Sequence, residues 1–324
     1  EVKYTTNGQS VNLIYSDATQ GWIPLEDDVV ADEPVQPPTQ KAIFGYGKTS
    51  SDVSLTNLVN SSGVVAADVT GVGTARNNLA ASSYGGDKAI FGYGRTNTQV
   101  SMTNLVNNSG VVATDVSGVG TARQSLAAAS YGGDKAIFGY GTDSSLTNLV
   151  NNNGVVGSDV TGVGTARNDL AAASFGGDKA IFGYGYYYSG GVVTYSLTNL
   201  VSNTGVVAAD VTGVGTARYL LAAAGYGGDK AIFGFGTTGS VTGLTNLVSN
   251  TGVVAANVSA VGTARKGLAA AGYGGDKAIF GYGTTGSLTA ITNLVNNSGV
   301  VASDVSGVGT AREKPAAAGF SYAS

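Results

Sequence analysis

Seventeen tyrosines and no histidine or cysteine set the chemistry open to this chain of 324 residues. Tyr186, Tyr187, Tyr188 and Tyr195 all fall within the stretch YYYSGGVVTYS, and Tyr219 follows in a later connection. Exposed tyrosines offer flat apolar faces and a hydroxyl, which suits stacking on sugars or packing at an interface. They can also pack on one another and simply hold a long loop. Without His or Cys, no Ser-His or Cys-His nucleophile can be assembled. Paired carboxylates could hydrolyse glycosides, but the acids sit at repeated positions, and no unit gains an extra acid pair beyond Asp143 and Asp169. Asp68, Asp115, Asp159, Asp210 and Asp304 share one repeat position, filled by Asn257 in the fifth copy. No oxygen-rich ligand spacing surrounds them, so neither metal nor cofactor is expected. GYGRTN is glycine-rich but follows a strand without a helix, which excludes a phosphate loop. The expectation is a binding or structural protein, not an enzyme.

What positions these residues is a repeat. KAIFG begins at Lys41, Lys88, Lys135, Lys179, Lys230 and Lys277. TNLV follows each copy, and VGTAR, in the fifth copy also preceded by Ala260, closes it with Arg76, Arg123, Arg167, Arg218, Arg265 and Arg312. A period of about 45 residues is the length of one four-stranded propeller blade. LAAASY reads as a first strand and KAIFG as a second, joined by a Gly-Gly-Asp-Lys turn that exploits glycine at positive φ. TNLV is the third strand and VVAADV the fourth, joined by an Asn/Ser/Gly turn. Alternation places Ala42, Phe44 and Tyr46 on one face of the second strand and Ile43, Gly45 and Gly47 on the other. The aromatic face is expected to lie against the glycine face of a neighbour. The first copy lacks an alanine-rich first strand, and PAAAGFSYAS after Arg312 is a surplus one. The expected class is therefore all-β: a six-bladed β-propeller over 41–324 with four-stranded blades, closed when the C-terminal strand pairs with the strand at Lys41. An open β-solenoid is the alternative. The Arg of TAR recurs in all six copies and the Asp of GGDK before five of the six KAIFG strands, and both read as salt bridges or carbonyl caps between blades.

Residues 1–25 read as a small β element anchored by Trp22 and Ile23, and 26–40 as an acidic, proline-bearing linker. Residues 1–40 carry seven acids and one base, and the rest of the chain has no basic stripe, so no nucleic acid is expected as a partner. No apolar run approaches the ~18 residues of a membrane helix, and no membrane insertion is expected. The chain opens without a signal peptide or an initiating Met and is expected to be part of a longer one.

TARNNLAAASYGGDKAIFGYG, a composite of the copies, resembles the kelch repeat, although the glycines are separated here and the Tyr and Trp that follow in kelch units have no counterpart. All six units are also similar to glycine-rich propeller repeats in tail-fibre and related virion proteins of bacteriophages. That resemblance implies a virion component on the particle surface, acting outside the cell in host adhesion. It also implies contacts with other tail proteins and a homo-oligomer, since fibres are commonly trimers. A structural virion module and a bacterial surface lectin remain open.

The copies differ in one place. From Lys to the TNLV Asn the spacing is 16, 16, 13, 20, 16 and 16, while the Asn-to-Arg and Arg-to-Lys spacings are constant. Every length change therefore falls between the second and third strands. The pair after each Arg varies in identity, as in Tyr219-Leu220 and Lys266-Gly267. Both regions emerge on one face of an antiparallel blade, and loops on a rigid scaffold commonly build binding surfaces. A host-surface glycan or protein is the expected receptor. The expected receptor-binding residues are Tyr186, Tyr187, Tyr188, Tyr195 and Tyr219, with Lys48, Arg95 and Lys266 from neighbouring loops.

Overall fold

The computed structural model of the chain describes residues 10–17, 21–28, 40–259 and 261–321, the first two segments as backbone only. β1 (Ser10–Asp17) and β2 (Gly21–Asp28) form an antiparallel pair in which Tyr15 faces Trp22 and Ile14 faces Ile23. β2 carries Glu26, Asp27 and Asp28, which the sequence assigned to the linker. The side chains of Trp22 and Ile23, and the linker from 29 to 39, lie outside the described residues. The chain divides into two compact units, Glu1–Gln36 and Pro37–Ser324.

The larger unit is all-β, with six three-stranded antiparallel sheets and one two-stranded ribbon among the described residues. The second strands are β3 (Lys41–Gly45), β6 (Lys88–Gly92), β9 (Lys135–Gly139), β12 (Lys179–Gly183), β17 (Lys230–Gly234) and β20 (Lys277–Gly281). Each is flanked by an alanine-rich first strand: β5 (Ala80–Tyr84), β8 (Ala127–Tyr131), β11 (Ala171–Phe175), β16 (Ala222–Tyr226), β19 (Ala269–Tyr273) and β22 (Ala316–Phe320). The TNLV strands β4 (Thr56–Val59), β7 (Thr103–Val106), β10 (Thr147–Val150), β15 (Thr198–Val201), β18 (Thr245–Val248) and β21 (Thr292–Val295) lie on the other side. As expected from the surplus strand, β22 pairs with β3, so one sheet, β22-β3-β4, joins the two ends of the repeat array.

The expected fourth strand is not formed. In the first copy the segment 64–69 touches β4 only through isolated bridges, Val65 to Val59 and Val69 to Thr56. Four chain steps separate the bridging valines but only three separate their partners, so the segment must bulge. Asn57 fills the bulge: its Nδ2 donates to Ala66 O at 3.0 Å and to Asp68 Oδ1 at 2.9 Å. A side-chain amide thus takes the place of ladder bonds, and the same pattern recurs in all six copies.

The glycine face does receive an aromatic neighbour. A Cβ built on Gly45 would stand 2.7 Å from Phe91 Cζ, and one on Gly281 would stand 2.8 Å from Phe44 Cζ. The glycines are there because a phenyl ring from the next sheet occupies the space a side chain would need. Tyr46 departs from the expected alternation. The strand ends at Gly45, Tyr46 takes φ 61°, and its ring turns to the glycine side, 5.1 Å from the Phe91 ring. The core therefore lies between sheets: Ile43 and Tyr46 of one sheet pack with Ala89, Phe91 and Val106 of the next.

Candidate functional site

The repeated Arg is wholly buried and belongs to the seams between sheets. Arg76 donates from Nε to Tyr93 O at 2.9 Å and from Nη2 to Asn104 Oδ1 at 2.7 Å, while its guanidinium lies 4.3 Å from the centroid of the Tyr46 ring. The Asp115 carboxylate stands 3.9 Å from Nη1 and accepts from Thr74 Oγ1 at 2.6 Å. Burial raises the Asp115 pKa, but hydrogen bonds from Thr74 and Asn104, with Arg76 nearby, outweigh it and leave the group below the ordinary carboxylate range. Burial pushes Arg76 down, opposed by Tyr46 and Asp115. The expected roles, ion pair and carbonyl cap, are both present in the Arg. The ring stacking and the asparagine relay were not foreseen, because they need side chains from two sheets. The GGDK aspartates do something else: Asp87 pairs with the adjacent Lys88 at 2.8 Å, and the carbonyl of Asp134 accepts from Gly85 N at 2.6 Å across the seam. Among the described residues no three potential ligands of the His, Cys, Asp and Glu types cluster together.

With those groups occupied, the variable loops remain. Each lies beside the connection that enters its sheet. Through the backbone, Lys48 forms β-bridges with Glu313 and Asp52, Arg95 with Asn77 and Gln99, and Lys266 with Thr284. These three cations thus sit on three different sheets, each tied to its own loop. The loop of the fourth copy forms the ribbon: β13 (Tyr186–Tyr188) pairs with β14 (Val192–Thr194), Tyr187 facing Val193 and Tyr188 facing Val192. Gly190, at φ 71°, makes the tight turn. The ribbon's base is anchored by paired backbone bonds between Asn168 and Tyr186, at 2.7 and 2.9 Å, and by Tyr195 N to Gly185 O at 2.8 Å.

The five tyrosines divide into distinct roles. Tyr186 and Tyr219 pack on each other, centroids 4.9 Å apart and planes tilted by 58°. Tyr188 is 60% exposed, beside Val192 and Val193 at 53% and 45%. Tyr187 and Tyr195 are half-buried. Asp143 is held by Asn168, whose Nδ2 donates to its carboxylate at 2.6 Å and whose Oδ1 accepts its backbone N–H at 3.0 Å. Burial raises the Asp169 carboxyl, opposed by a hydrogen bond from Ser125 and the charge of Lys314. Burial, then Asp169, Asp143 and Tyr219, push the Tyr186 hydroxyl up to about 12.

Beside this cluster lies a cavity of about 80 Å³ whose wall draws on all six copies. Its rim is the second residue after each Arg: Asn78, Ser125, Asp169, Leu220, Gly267 and Lys314. All six are in the left-handed region, with φ between 48° and 61°. Each N–H from Ser125 to Lys314 donates to the carbonyl of the preceding rim residue, at 2.7 to 2.9 Å. The sequence marked this position as variable in identity. Its fixed backbone conformation was hidden, because only glycine among the six advertises it.

No protein-family model and no curated protein matches the chain.

Proposed function

We propose that the six sheets are the blades of a closed six-bladed propeller, and that the chain is a bacteriophage tail-fibre or related virion surface protein. In this reading the face bearing the β13–β14 ribbon binds a glycan or protein of the host surface. The ring is supported where the two ends of the repeat array meet. Thr310 and Arg312 clasp Asp68 and Asn57 as Thr74 and Arg76, and Thr121 and Arg123, clasp the copies that follow them, with Thr310 Oγ1 to Asp68 Oδ2 at 2.6 Å and Arg312 Nη2 to Asn57 Oδ1 at 2.8 Å. The cavity lined by equivalent residues of every copy gives the ring an axis.

The recognition role rests on one observation: the ribbon is apolar on both faces and exposed. Tyr188 and Val192 share one face and Val193 lies on the other, each close to half exposed or more. A two-stranded hairpin is marginal in water on its own, and one whose outer half leaves both faces exposed has less than the usual compensation. A partner surface would supply it. Replacing Tyr186–Ser196 with the shorter loop Thr142–Ser145 of the third copy tests this. The variant is expected to unfold within about 2 °C of the parent, since surface changes away from the core cost little, and to lose adsorption to host cells. Unchanged adsorption overturns the role given to the ribbon.

A structural virion module remains the second reading, and a specific feature favours it. Val64, Val69 and Val72 are exposed, and their counterparts are exposed in every copy, giving each sheet a valine-rich margin suited to packing in an assembly. If lateral contacts are the function, the loop exchange leaves adsorption intact, while Val64→Asp and its equivalents block particle assembly.

A further inference from the structure

Tyr186, Tyr219, Asp143 and Asp169 come from four neighbouring segments and meet at the foot of the ribbon. The backbone bridge between Asn168 and Tyr186 sets them side by side. The Asn168 amide, in turn, clamps the Asp143 carboxylate at 2.6 Å, so that acid cannot swing away. Asp169 follows Asn168 directly, half-buried on the cavity rim, where the Ser125 hydroxyl and the charge of Lys314 face it. Both acids act on the Tyr186 hydroxyl, whose ring lies 4.9 Å from that of Tyr219. The adjoining segments 142–146, 168–170, 184–197 and 219–221 contain no Lys or Arg.

We infer that this corner of the face binds an alkylammonium group, carried either by a lysine side chain or by an amino sugar. Aromatic faces attract cations through their quadrupole, most strongly where water is excluded. A carboxylate beside such rings adds Coulombic attraction for the same cation. A neutral polyol would gain nothing from the charge of the two carboxylates, and a phosphate or carboxylate would be repelled by them. The inference rests on the reading of this face as a recognition surface, and it names the group recognised.

The test is a calorimetric or NMR titration of the whole chain with matched probes. Nα-acetyl-lysine methylamide is compared with its Nε-acetylated, neutral form, and glucosamine with N-acetylglucosamine. The charged member of at least one pair is expected to bind roughly tenfold more tightly, as one desolvated cation–π contact implies. Which pair discriminates identifies the source. Tyr219→Leu and Asp143→Asn should each weaken that binding several-fold, whereas Tyr219→Phe, which keeps the ring face, should retain it. Tyr188→Ser, outside the cluster, should leave it unchanged. Circular dichroism melting of each variant separates lost binding from lost folding. Equal affinity for charged and neutral members, or no saturable binding of either ammonium, overturns the inference. The two readings fail separately. Adsorption lost in the loop exchange but kept in Asp143→Asn and Tyr219→Leu refutes the ammonium site alone. Ammonium binding with adsorption unaffected by the loop exchange refutes the adhesive role alone.

Discussion

Phe320 and Phe175 occupy equivalent places, one on the last strand of the chain and one in its middle. They are 1% and 2% exposed, and a Cβ on Gly110 or Gly252 would stand 2.8 Å from the Cζ of the respective ring. β22 meets β3 in the same five-residue register that β11 makes with β12. Truncating a buried Phe to Ala costs about 3–5 kcal/mol. With an unfolding entropy of about 2.1 cal/mol/K per residue over the unit Pro37–Ser324, roughly 4 kcal/mol corresponds to a fall in Tm of about 7 °C. If the ring is closed, Phe320→Ala and Phe175→Ala should therefore melt at nearly the same temperature, each about 7 °C below the parent. If the array is open, β22 is a terminal strand and frays before the rest unfolds. Its Phe then contributes little to the main transition. Differential scanning calorimetry of the two variants in one buffer decides the matter. A Phe320→Ala shift less than half that of Phe175→Ala would falsify the closed ring.

The fifth copy carries Asn257 where the others have Asp, so buried Arg218 faces an amide that accepts from Thr216 N at 3.1 Å. Asn257→Asp should restore the ionic clasp and raise Tm by a few degrees at pH 7, with the gain vanishing in acid; no change would mean the charge is immaterial to the seam. Asp68, Asp115, Asp159, Asp210 and Asp304 all sit below the ordinary carboxylate value, because hydrogen bonds and arginine outweigh the opposing effect of burial. A lowered folded pKa contributes stability above the unfolded value of about 3.9 and loses it as pH falls below that. Tm measured against pH should therefore drop steeply below about pH 4. Burial raises Tyr93 and Tyr140 to about 12, so their contribution is complete below the unfolded value of 10.0 and is lost as pH rises towards 12. Gly92→Ala places a methyl 2.6 Å from Phe138 Cζ and should cost about 1–3 kcal/mol by overpacking; equilibrium urea unfolding reads this directly.

Features carried by spacing were legible in the sequence. The pairing of β22 with β3 follows from one strand missing at the start and one in surplus at the end. The contact between glycine and phenylalanine followed from alternation along KAIFG. What escaped reading depends on backbone angles or on two sheets at once. Tyr46 lies on the unexpected side because the chain turns left-handed immediately after Gly45. The segment at 64–69 looked like a strand by composition, but Asn57 competes for its carbonyl groups. The rim of left-handed residues was invisible, since Asn, Ser, Asp, Leu and Lys do not announce that conformation as Gly267 does. For the candidate site, the tyrosine cluster and the proximity of Tyr219 to the long loop were readable. The clamping of Asp143 by Asn168 was not.

One inference drawn from the sequence has a different basis once the contacts are considered. Length varies only between the second and third strands, and that one-sidedness looked like a mark of binding. The seams supply a mechanical reason for it. From Asn57 through Asp68, Thr74 and Arg76 to Gly85, successive groups grip a neighbouring sheet, so an added residue would pull one clasp out of step with the next. The variable loop is instead closed at its neck by one backbone bond, and in the fourth copy only its first residue, Tyr186, is paired with the neighbouring connection through the backbone. Val53 N donates to Gly47 O, Ser144 N to Gly141 O and Tyr195 N to Gly185 O, and all length changes lie inside that closure. Tolerance of length is therefore a property of the scaffold, and the case for recognition must rest on the exposed apolar chemistry of the ribbon. The two explanations separate experimentally. Inserting YYYSGGVVTYS between Gly141 and Leu146, in place of Thr142–Ser145, should leave the melting temperature within a few degrees. A single glycine inserted between Asp115 and Thr121 should lower it far more, because it displaces the clasps on both sides of one sheet. If the two insertions cost the same, the seams do not explain the pattern, and selection on the loops regains its force.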